Sequence, residues 1–397
     1  MRCLILLLFI LISCKNSTDH KSESKTFEEI HSQAIFVDSH NDILLQTMGK
    51  GYIIDHDLTG KTHSDLDRMK VGGLDVQFFS VWSDGNQKNP YNFANTQIDS
   101  LDAVIKRNPN KIVKVANTKE LLNTVNQNKI AALIGLEGGH QIEDDLKKLD
   151  SLYNRGVRYI TLTWNNSTQW ATSAFDETKE NSTLNSEGRK GLTEFGKQVI
   201  RKMNELGIII DVSHVGEQTF WDVISNTKKP IIASHSSVYS ICPHPRNLKD
   251  DQIKAIAKNG GVVQINFNSG FLDSTVGKKE NQFLKKHKAE IDSLKLSGVN
   301  PYFAEELMYS KYHQESEKLK ASFNLVIEHL EYIIKLVGID YVGIGSDFDG
   351  IVLPPKQLND VTKYPLITKA LVEKGYNQND ISKILGGNIL RVLKANE

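Results

Sequence analysis

The sequence predicts an α/β fold, a (β/α)8 TIM-type barrel with one insertion, and three observations support this prediction. Eight short β-branched runs recur along the chain, helical stretches separate them, and no GxGxxG turn follows the first run. The runs are apolar throughout rather than alternating, which is typical of parallel strands buried on both faces. The eight runs are Ala34–Asp38, Leu74–Val81, Ile130–Leu136, Tyr159–Thr163, Ile208–Val212, Pro230–Ala233, Gly261–Phe267 and Tyr341–Gly345.

Amphipathic segments between and after these runs predict the helices of the barrel, because apolar residues recur in them every three to four positions. A doubly wound open sheet is the alternative, but it usually has fewer strands and a glycine-rich first turn. A lysine- and glutamate-rich stretch from Leu272 to Ser322 is predicted to be an insertion between strands seven and eight. This insertion could cover the mouth of the barrel or extend an oligomer surface, and the sequence does not distinguish between these alternatives. The clearest helical segments are Leu192–Leu206, Asp250–Lys258, Phe323–Leu336, Leu366–Glu373 and Asn379–Lys394.

The N-terminus differs from the rest of the chain. An apolar run, Leu4–Ile12, follows one basic residue and ends just before Cys14, which resembles the lipobox of bacterial lipoproteins. We therefore predict a lipoprotein-type signal peptide (1–13), a polar tether (14–29) and the barrel itself (30–397). Cys14 would carry a lipid, and the protein would be exported to a bacterial membrane, on its periplasmic or outer-membrane face. The alternative is a plain signal peptide with a chance cysteine.

Composition excludes some classes of function. The formal net charge is zero and no basic run occurs, so nucleic acid is not an expected partner. Cys242 is the only cysteine outside the leader, so the body has no intrachain disulfide. No GxSxG motif indicates a serine nucleophile.

Ionisable residues follow five of the predicted strands, at the barrel end where TIM-type enzymes hold their active sites. One histidine there is usually a hydrogen-bonded structural residue, but six ionisable groups at one rim need a compensating partner. Imidazole and carboxylate suit Zn²⁺, and one carboxylate can bridge two ions roughly 3.5–4 Å apart. The six are His40, Asp42, Glu137, His214, His235 and Asp347. The aspartates expected to orient the imidazoles are Asp38, Asp211 and Asp349, although Asp349 could instead be a plain loop carboxylate.

The motifs VDSHND, GLEGGH, DVSH, SHS and GIGSDFDG, in this order, resemble those of the membrane (renal-type) dipeptidase family, a branch of the metal-dependent amidohydrolases. The resemblance covers about residues 30–395 and implies a binuclear zinc barrel that cleaves dipeptides. It implies that the first zinc is bound by His40 and Asp42, both ions by Glu137, and the second by His214 and His235.

The resemblance also implies how the substrate is held and cleaved. A hydroxide bridging the metals would attack the peptide carbonyl, while Asp347 would take its proton, pass it to the leaving amine and contact the substrate's amino group. Arg246, in the segment HPRN, would hold the substrate carboxylate, although a surface ion pair is an alternative for this arginine. Family members are often dimers, so a homodimer is expected by analogy only.

One position departs from the family pattern. Where the family has a histidine that binds the substrate carbonyl, this chain has Trp164 in TLTWNN. Indole offers one N–H donor and no positive charge, and losing an oxyanion donor commonly costs a factor of roughly 10²–10³ in rate. Trp164, Asn165 or Asn166 takes that role, Trp164 walls the pocket, or the substrate differs.

This departure leaves two rival functions open. One is a related binuclear hydrolase acting on a lactam, an N-acyl amino acid or an ester. The other is a lipid-anchored binding protein that lost turnover.

Overall fold

The computed structural model describes residues 25–179 and 184–397, and its centre is a parallel sheet that curves into a barrel. The predicted signal peptide, Cys14 and residues 14–24 of the tether lie outside the described residues. The described strands are β1 Val37–Asn41, β2 Val76–Trp82, β3 Ile112–Lys114, β4 Ile130–Glu137, β5 Val157–Thr161, β6 Ile209–Asp211, β7 Ile232–Ala233, β8 Val262–Ile265 and β9 Val342–Ile344.

Eight strands form the barrel in the order β1-β2-β4-β5-β6-β7-β8-β9, and each of the eight predicted runs overlaps one of them, with bounds that differ by a few residues. Two hydrogen bonds join the segment that follows β9 to the end of β1: Asp42 N donates to Phe348 O (2.9 Å) and Asp347 N donates to His40 O (3.1 Å). The ninth strand, β3, pairs only with β4 and was not predicted. Its three residues are too few to give a periodic signal.

Helices cover the outside of the barrel, which explains why the strands are apolar on both faces. All residues of β2 and β4 are buried. The α-helices are α1 Phe27–Gln33, α2 Ile43–Lys50, α3 Leu66–Val71, α4 Pro90–Arg107, α5 Thr118–Val125, α6 Leu146–Asn154, α7 Ala174–Glu177, α8 Glu194–Leu206, α9 Glu217–Asn226, α10 Asp250–Lys258, α11 Ser269–Leu272, α12 Val276–Lys286, α13 Lys288–Leu296, α14 Pro301–Lys311, α15 His313–Ser316, α16 Phe323–Val337, α17 Pro365–Glu373, α18 Gln378–Ser382 and α19 Asn388–Asn396.

Near both ends of the chain, the observed elements differ from the predicted bounds. A capping box between Thr26 and Glu29 starts α1 inside the span assigned to the tether. The helix predicted over Asn379–Lys394 is instead divided by a π-helical turn, Lys383–Gly387. Its backbone packs closely on the chain leading into β1, since a Cβ on Gly386 would lie 2.3 Å from Ile35 O.

The predicted insertion forms α12 to α15 between β8 and β9, followed by the barrel helix α16. It packs around a small core of its own, which includes Phe283, Ile291 and Met308. Tyr302 on α14 donates through its hydroxyl to Gly350 O (3.0 Å), next to the end of β9. The insertion therefore covers the barrel mouth, one of the two alternatives left open by the sequence. Among the described helices, none combines the length and apolar character that crossing a bilayer requires.

Candidate metal centre and active site

The six predicted rim residues meet at the mouth of the barrel. The parallel register carries them to one level: Trp82, the last residue of β2, pairs with Glu137, and Glu137 pairs with Thr161. His40 Nε2 lies 3.2 Å from Asp42 Oδ2, 3.3 Å from Glu137 Oε2 and 4.0 Å from Asp347 Oδ1. Residues as distant in the chain as His40 and Asp347 are thus brought into one cluster.

Glu137 lies at the centre of this cluster and divides its two oxygens between the histidines. Oε2 faces His40, whereas Oε1 lies 2.9 Å from His214 Nε2 and 3.6 Å from His235 Nε2. The two imidazoles are themselves 3.0 Å apart at their Nε2 atoms. A carboxylate that faces two separate sets of nitrogen donors has the arrangement needed to bridge two cations.

Hydrogen bonds fix the tautomer of His40. Its Nδ1 lies 2.7 Å from the hydroxyl of Tyr159, and that hydroxyl donates to Ser39 O (3.1 Å). The hydroxyl must therefore accept from Nδ1–H, which leaves the Nε2 lone pair free. Nε2 is buried and has no hydrogen-bond partner among the described residues.

The other two histidines follow the same pattern. His214 Nδ1 donates to Asn165 Oδ1 (3.1 Å). His235 Nδ1 contacts Ser234 Oγ (2.8 Å), which itself donates to Asp211 (2.5 Å) and so accepts from the imidazole. All three Nε2 atoms therefore present lone pairs to Glu137, as metal-binding imidazoles oriented by outer hydrogen bonds do.

The described chain contains two groups of donor residues, and within each group the ligand atoms all lie within 4.8 Å of one another. One cation could span this spacing. One comprises His40, Glu137 and His235, and the other comprises His40, Asp42 and Asp347. The residues thus fit a divalent metal centre of nitrogen and oxygen ligands. The first group joins His40 and His235, which the resemblance assigns to different ions.

Burial and mutual charge set the pKa values in this cluster. Burial opposes ionisation of His40, but Tyr159, Asp42 and Glu137 together raise its pKa well above the usual range. Burial also opposes ionisation of Glu137, yet His40 and the other imidazoles bring its pKa well below the usual range. Burial, with Arg246 nearby, lowers the pKa of His214 to about 3. These shifts keep Glu137 ionised beside a neutral His214, and the raised pKa of His40 reflects the negative charge around it, which a bound cation would also balance.

Two of the rim residues have left-handed backbones, His214 (φ 66°) and Asp347 (φ 61°). This conformation is uncommon for residues other than glycine and usually costs about 1–3 kcal/mol. It turns the chain sharply just past β6 and β9, so that both side chains join the cluster.

Asp347 lies at the edge of the cluster, where it is held by a residue that sequence reasoning missed. Asn266 Nδ2 donates to Asp347 Oδ2 (2.7 Å). Burial raises the pKa of Asp347 well above its usual range, and Asp42 and Glu137 add to that effect. Asn266 directly follows β8, so an inspection of polar residues at every strand end would have found it.

Arg246 is buried but incompletely paired. It is 4% exposed, its Nη2 donates to His235 O (3.3 Å), and its Nε has no partner among the described residues. No carboxylate within the described chain lies within ion-pair distance of it, so the surface ion pair considered above is not formed. Burial lowers its pKa to about 10, which still leaves it charged at neutral pH. A buried, incompletely paired guanidinium can form a bidentate pair with a carboxylate.

Trp164 lines a cavity of about 390 Å³ above the cluster. Its ring meets Trp82 edge-on, with centroids 4.9 Å apart, and lies 6.4 Å from the His214 ring. Trp164 is therefore part of the pocket wall. Its neighbour Asn165 orients His214, a role that was not predicted. Further lining residues include Asp84, Tyr302, Glu305 and Arg246.

The three flanking aspartates were expected to orient imidazoles. Asp211 does so through Ser234. Asp38 instead accepts from Ser346 (2.7 Å) and Tyr364 (2.7 Å), while Asp349 bonds Ser64 and His63 N. These two carboxylates link the loops of the rim and contact none of the three imidazoles discussed above.

Comparisons with known proteins agree with this geometry. Residues 24–397 match the family model of the membrane dipeptidases, peptidase family M19. An "uncharacterized dipeptidase" of Schizosaccharomyces pombe is 33% identical over 393 residues, covering 94% of this chain and 82% of the relative.

Solved structures share the fold. The probable dipeptidase PvdM of Pseudomonas aeruginosa has a TM-score of 0.74 and 25% identity, with 93% of this chain and 97% of that chain covered. A metallopeptidase of Rhodobacter sphaeroides, solved with a phosphinate mimic of L-Ala-D-Ala, has a TM-score of 0.74 at 23% identity, with 92% and 100% covered. The chain belongs to the membrane dipeptidase family, peptidase family M19.

Proposed function

We propose that this chain is a binuclear, zinc-dependent dipeptidase that hydrolyses the peptide bond of dipeptides. The observation that carries the proposal is the arrangement of three imidazole Nε2 lone pairs around the two oxygens of Glu137. Family membership supports the metal-dependent dipeptidase class. The number of ions and their identity as zinc are inferred from the donor set.

Each ligand has a proposed place. His40 and Asp42 hold one ion, His214 and His235 hold the other, and Glu137 binds both. When bound, the ions supply a water of lowered pKa and polarise the substrate carbonyl. Tyr159, Asn165 and Ser234 keep the imidazoles in the tautomer that leaves Nε2 unprotonated.

Two side chains at the cavity handle the substrate. Arg246 pairs with the terminal carboxylate, which favours short peptides because this arginine lines the same cavity as the metal ligands. Asp347 contacts the free amino group, accepts the proton of the attacking water and returns it to the leaving nitrogen. Burial raises the pKa of its carboxyl group, which favours acceptance of the proton.

The test combines metal analysis with hydrolysis of a dipeptide panel before and after chelation. We expect about two zinc ions per chain, dipeptide hydrolysis that is lost on chelation, and recovery when zinc is returned. N-acyl amino acids, lactams and esters form the comparison panel. Faster turnover of one of those classes would replace the dipeptidase proposal with the related-hydrolase alternative. Dipeptide binding without amino acid release in the zinc-loaded protein would indicate a binding protein.

We also propose that the protein is exported and lipid-anchored through Cys14, as the leader motif suggests. Labelling cells with a fatty acid probe tests this, with Cys14→Ser as the control. Equal labelling of both forms would contradict it.

A further inference from the structure

The wall of the active-site cavity is aromatic on one side. Trp82 and Trp164 meet edge-on at 4.9 Å between ring centroids, and Tyr302 lies 6.5 Å from Trp82. Trp82 ends β2, Trp164 follows β5, and Tyr302 belongs to the insertion. Three separate segments thus place aromatic rings together, and such rings attract organic cations through their negative faces.

Carboxylates that the metal chemistry does not use lie beside these rings. Asp84 lines the same cavity, and among the described residues its Oδ1 accepts only from Asn86 N (2.8 Å). No lysine, arginine or histidine of the described chain lies within ion-pair distance of Asp84. Glu305 also lines the cavity, but Lys295 pairs with it at 2.9 Å. Asp84 is therefore the wall carboxylate that still lacks a cationic partner.

The position of this wall indicates which part of a substrate it faces. Trp82 and Asp84 follow β2, whereas Arg246 follows β7. In the order β1-β2-β4-β5-β6-β7-β8-β9 these two strands are four staves apart, on opposite sides of the barrel. A dipeptide whose carboxylate pairs with Arg246 therefore extends its N-terminal residue toward the aromatic wall.

We propose that the wall formed by Trp82, Trp164, Tyr302 and Asp84, here termed the aromatic–acidic wall, selects dipeptides with a basic N-terminal residue such as lysine or arginine. The inference rests on the proposed dipeptidase function and names its substrate class. A long basic side chain places its methylenes along the rings and its charge near Asp84. An acidic side chain would meet a carboxylate of the same charge.

The experiment compares kcat/KM of the zinc-loaded protein for Lys-Ala, norleucyl-Ala and Glu-Ala. Norleucine matches the length of lysine without its charge. We expect Lys-Ala to exceed norleucyl-Ala about five- to tenfold, with Glu-Ala the slowest, because an ion pair and a cation–π contact add. In Asp84→Asn the ratio of Lys-Ala to norleucyl-Ala should fall to about one to two. Asparagine keeps the acceptor for Asn86 N, so the turn is retained.

Two variants of Trp164 and one control variant test whether the aromatic–acidic wall causes the lysine preference. Trp164→Leu should lower the lysine preference and Trp164→Phe should largely retain it, since phenylalanine keeps an aromatic face. Asp57→Asn is the matched control, because Asp57 caps Thr59 N (2.9 Å) in a similar turn away from the cavity. It should leave every ratio unchanged.

The possible results distinguish a failure of this inference from a failure of the proposed dipeptidase function. Hydrolysis of norleucyl-Ala with a lysine ratio at or below one would overturn the inference and leave the dipeptidase function standing. A lysine preference that survives Asp84→Asn and Trp164→Leu would also overturn the assignment to this wall. Failure to cleave any of the three peptides would overturn the proposed function and, with it, the inference.

Discussion

The histidines buried at the barrel mouth differ from two histidines that are buried in the outer helical layer. At the mouth, each of His40, His214 and His235 has Nδ1 in a hydrogen bond with a side chain and Nε2 directed at the cluster around Glu137.

In the outer layer, the imidazoles of His31 and His329 have both nitrogens satisfied by neutral partners. His31 on α1 bonds Thr368 Oγ1 (2.7 Å) and Gly72 O (3.0 Å). His329 on α16 accepts from Val238 N (3.0 Å) and lies 3.1 Å from Leu272 O.

The comparison teaches that burial alone does not identify a candidate ligand. Burial lowers the pKa of His214 to about 3 and that of His329 to about 4, so the two regions resemble each other in this respect. They differ in whether a lone pair remains free beside a carboxylate. That difference predicts that replacing a histidine at the mouth mainly removes activity, whereas replacing one in the outer layer mainly lowers stability.

The largest expected effect is the loss of activity when His214 is replaced. In His214→Ala, kcat/KM for a dipeptide should fall about 10³-fold, because losing a bound ion removes several kcal/mol of transition-state stabilisation. Steady-state kinetics together with metal analysis measures both losses. Full activity with two ions retained would contradict the ligand assignment.

His329→Ala is the matched control. It leaves Val238 N and Leu272 O without partners, so the free energy of unfolding should fall by about 2–4 kcal/mol. Activity per folded molecule should stay within about twofold of the parent. In excess chelator, His214→Ala should destabilise the protein much less than His329→Ala does.

The pH dependence of stability is the next effect in size. The pKa of His329 is about 4 in the folded protein, against a usual 6.5, because burial disfavours the charged ring. Its neutral form is compatible with the fold, so no penalty applies above pH 6.5. As pH falls from 6.5 toward 4, protonation of the unfolded chain removes about 3 kcal/mol of stability.

Denaturant titrations of the metal-loaded parent and of His329→Gln across this range measure that loss. The glutamine variant does not titrate at this position and should show a slope that is smaller by one proton. Equal slopes would show that His329 does not carry a depressed pKa.

Two buried arginines also differ in how fully their hydrogen-bond donors are paired. Arg158 donates to the carbonyls of Ala116 (2.7 Å), Tyr153 (3.0 Å) and Val157 (2.8 Å), whereas Arg246 has an unpaired Nε. Arg246→Lys should lower kcat/KM for dipeptides about 100-fold, because a bidentate contact to the substrate carboxylate is lost.

A dipeptide amide provides the check on that assignment. The parent should cleave the amide poorly, and Arg246→Lys should then cause little further loss. Arg158→Lys should lower stability and leave KM unchanged. If Arg246→Lys affected the amide and the free dipeptide equally, the arginine would not be holding the carboxylate.

The smallest effect is expected at the hydrogen bond that orients His40. Tyr159→Phe should weaken metal binding about tenfold, as removal of an outer partner of a ligand imidazole commonly does. Competition with a chromophoric chelator measures this independently of turnover. Tyr332→Phe removes a hydroxyl that bonds Asp250 in the outer layer, and it should leave metal affinity unchanged. Equal affinity in Tyr159→Phe and the parent would contradict the orienting role.

Much of the site could be predicted because strand ends are visible in the sequence. An apolar run followed within two residues by His, Asp or Glu, as at Glu137 and His235, indicates a polar residue at the barrel mouth. Asn266 shares that position, but its uncharged amide gives no sign of a metal ligand or a catalytic acid. The roles of Tyr159 and Asn165 could not be predicted, since nothing local distinguishes a tyrosine that bonds an imidazole from one that only packs.

The sequence by itself determined the class of fold, the staves of the barrel and the residues at their ends, because these depend on patterns within a few positions. Only the tertiary structure decided which lone pairs stay free and which segments wall the cavity. The bond between His40 and Tyr159 joins residues 119 positions apart, and Tyr302 reaches the mouth from an insertion late in the chain. Such contacts depend on the closure of the ring, which no short stretch of sequence encodes.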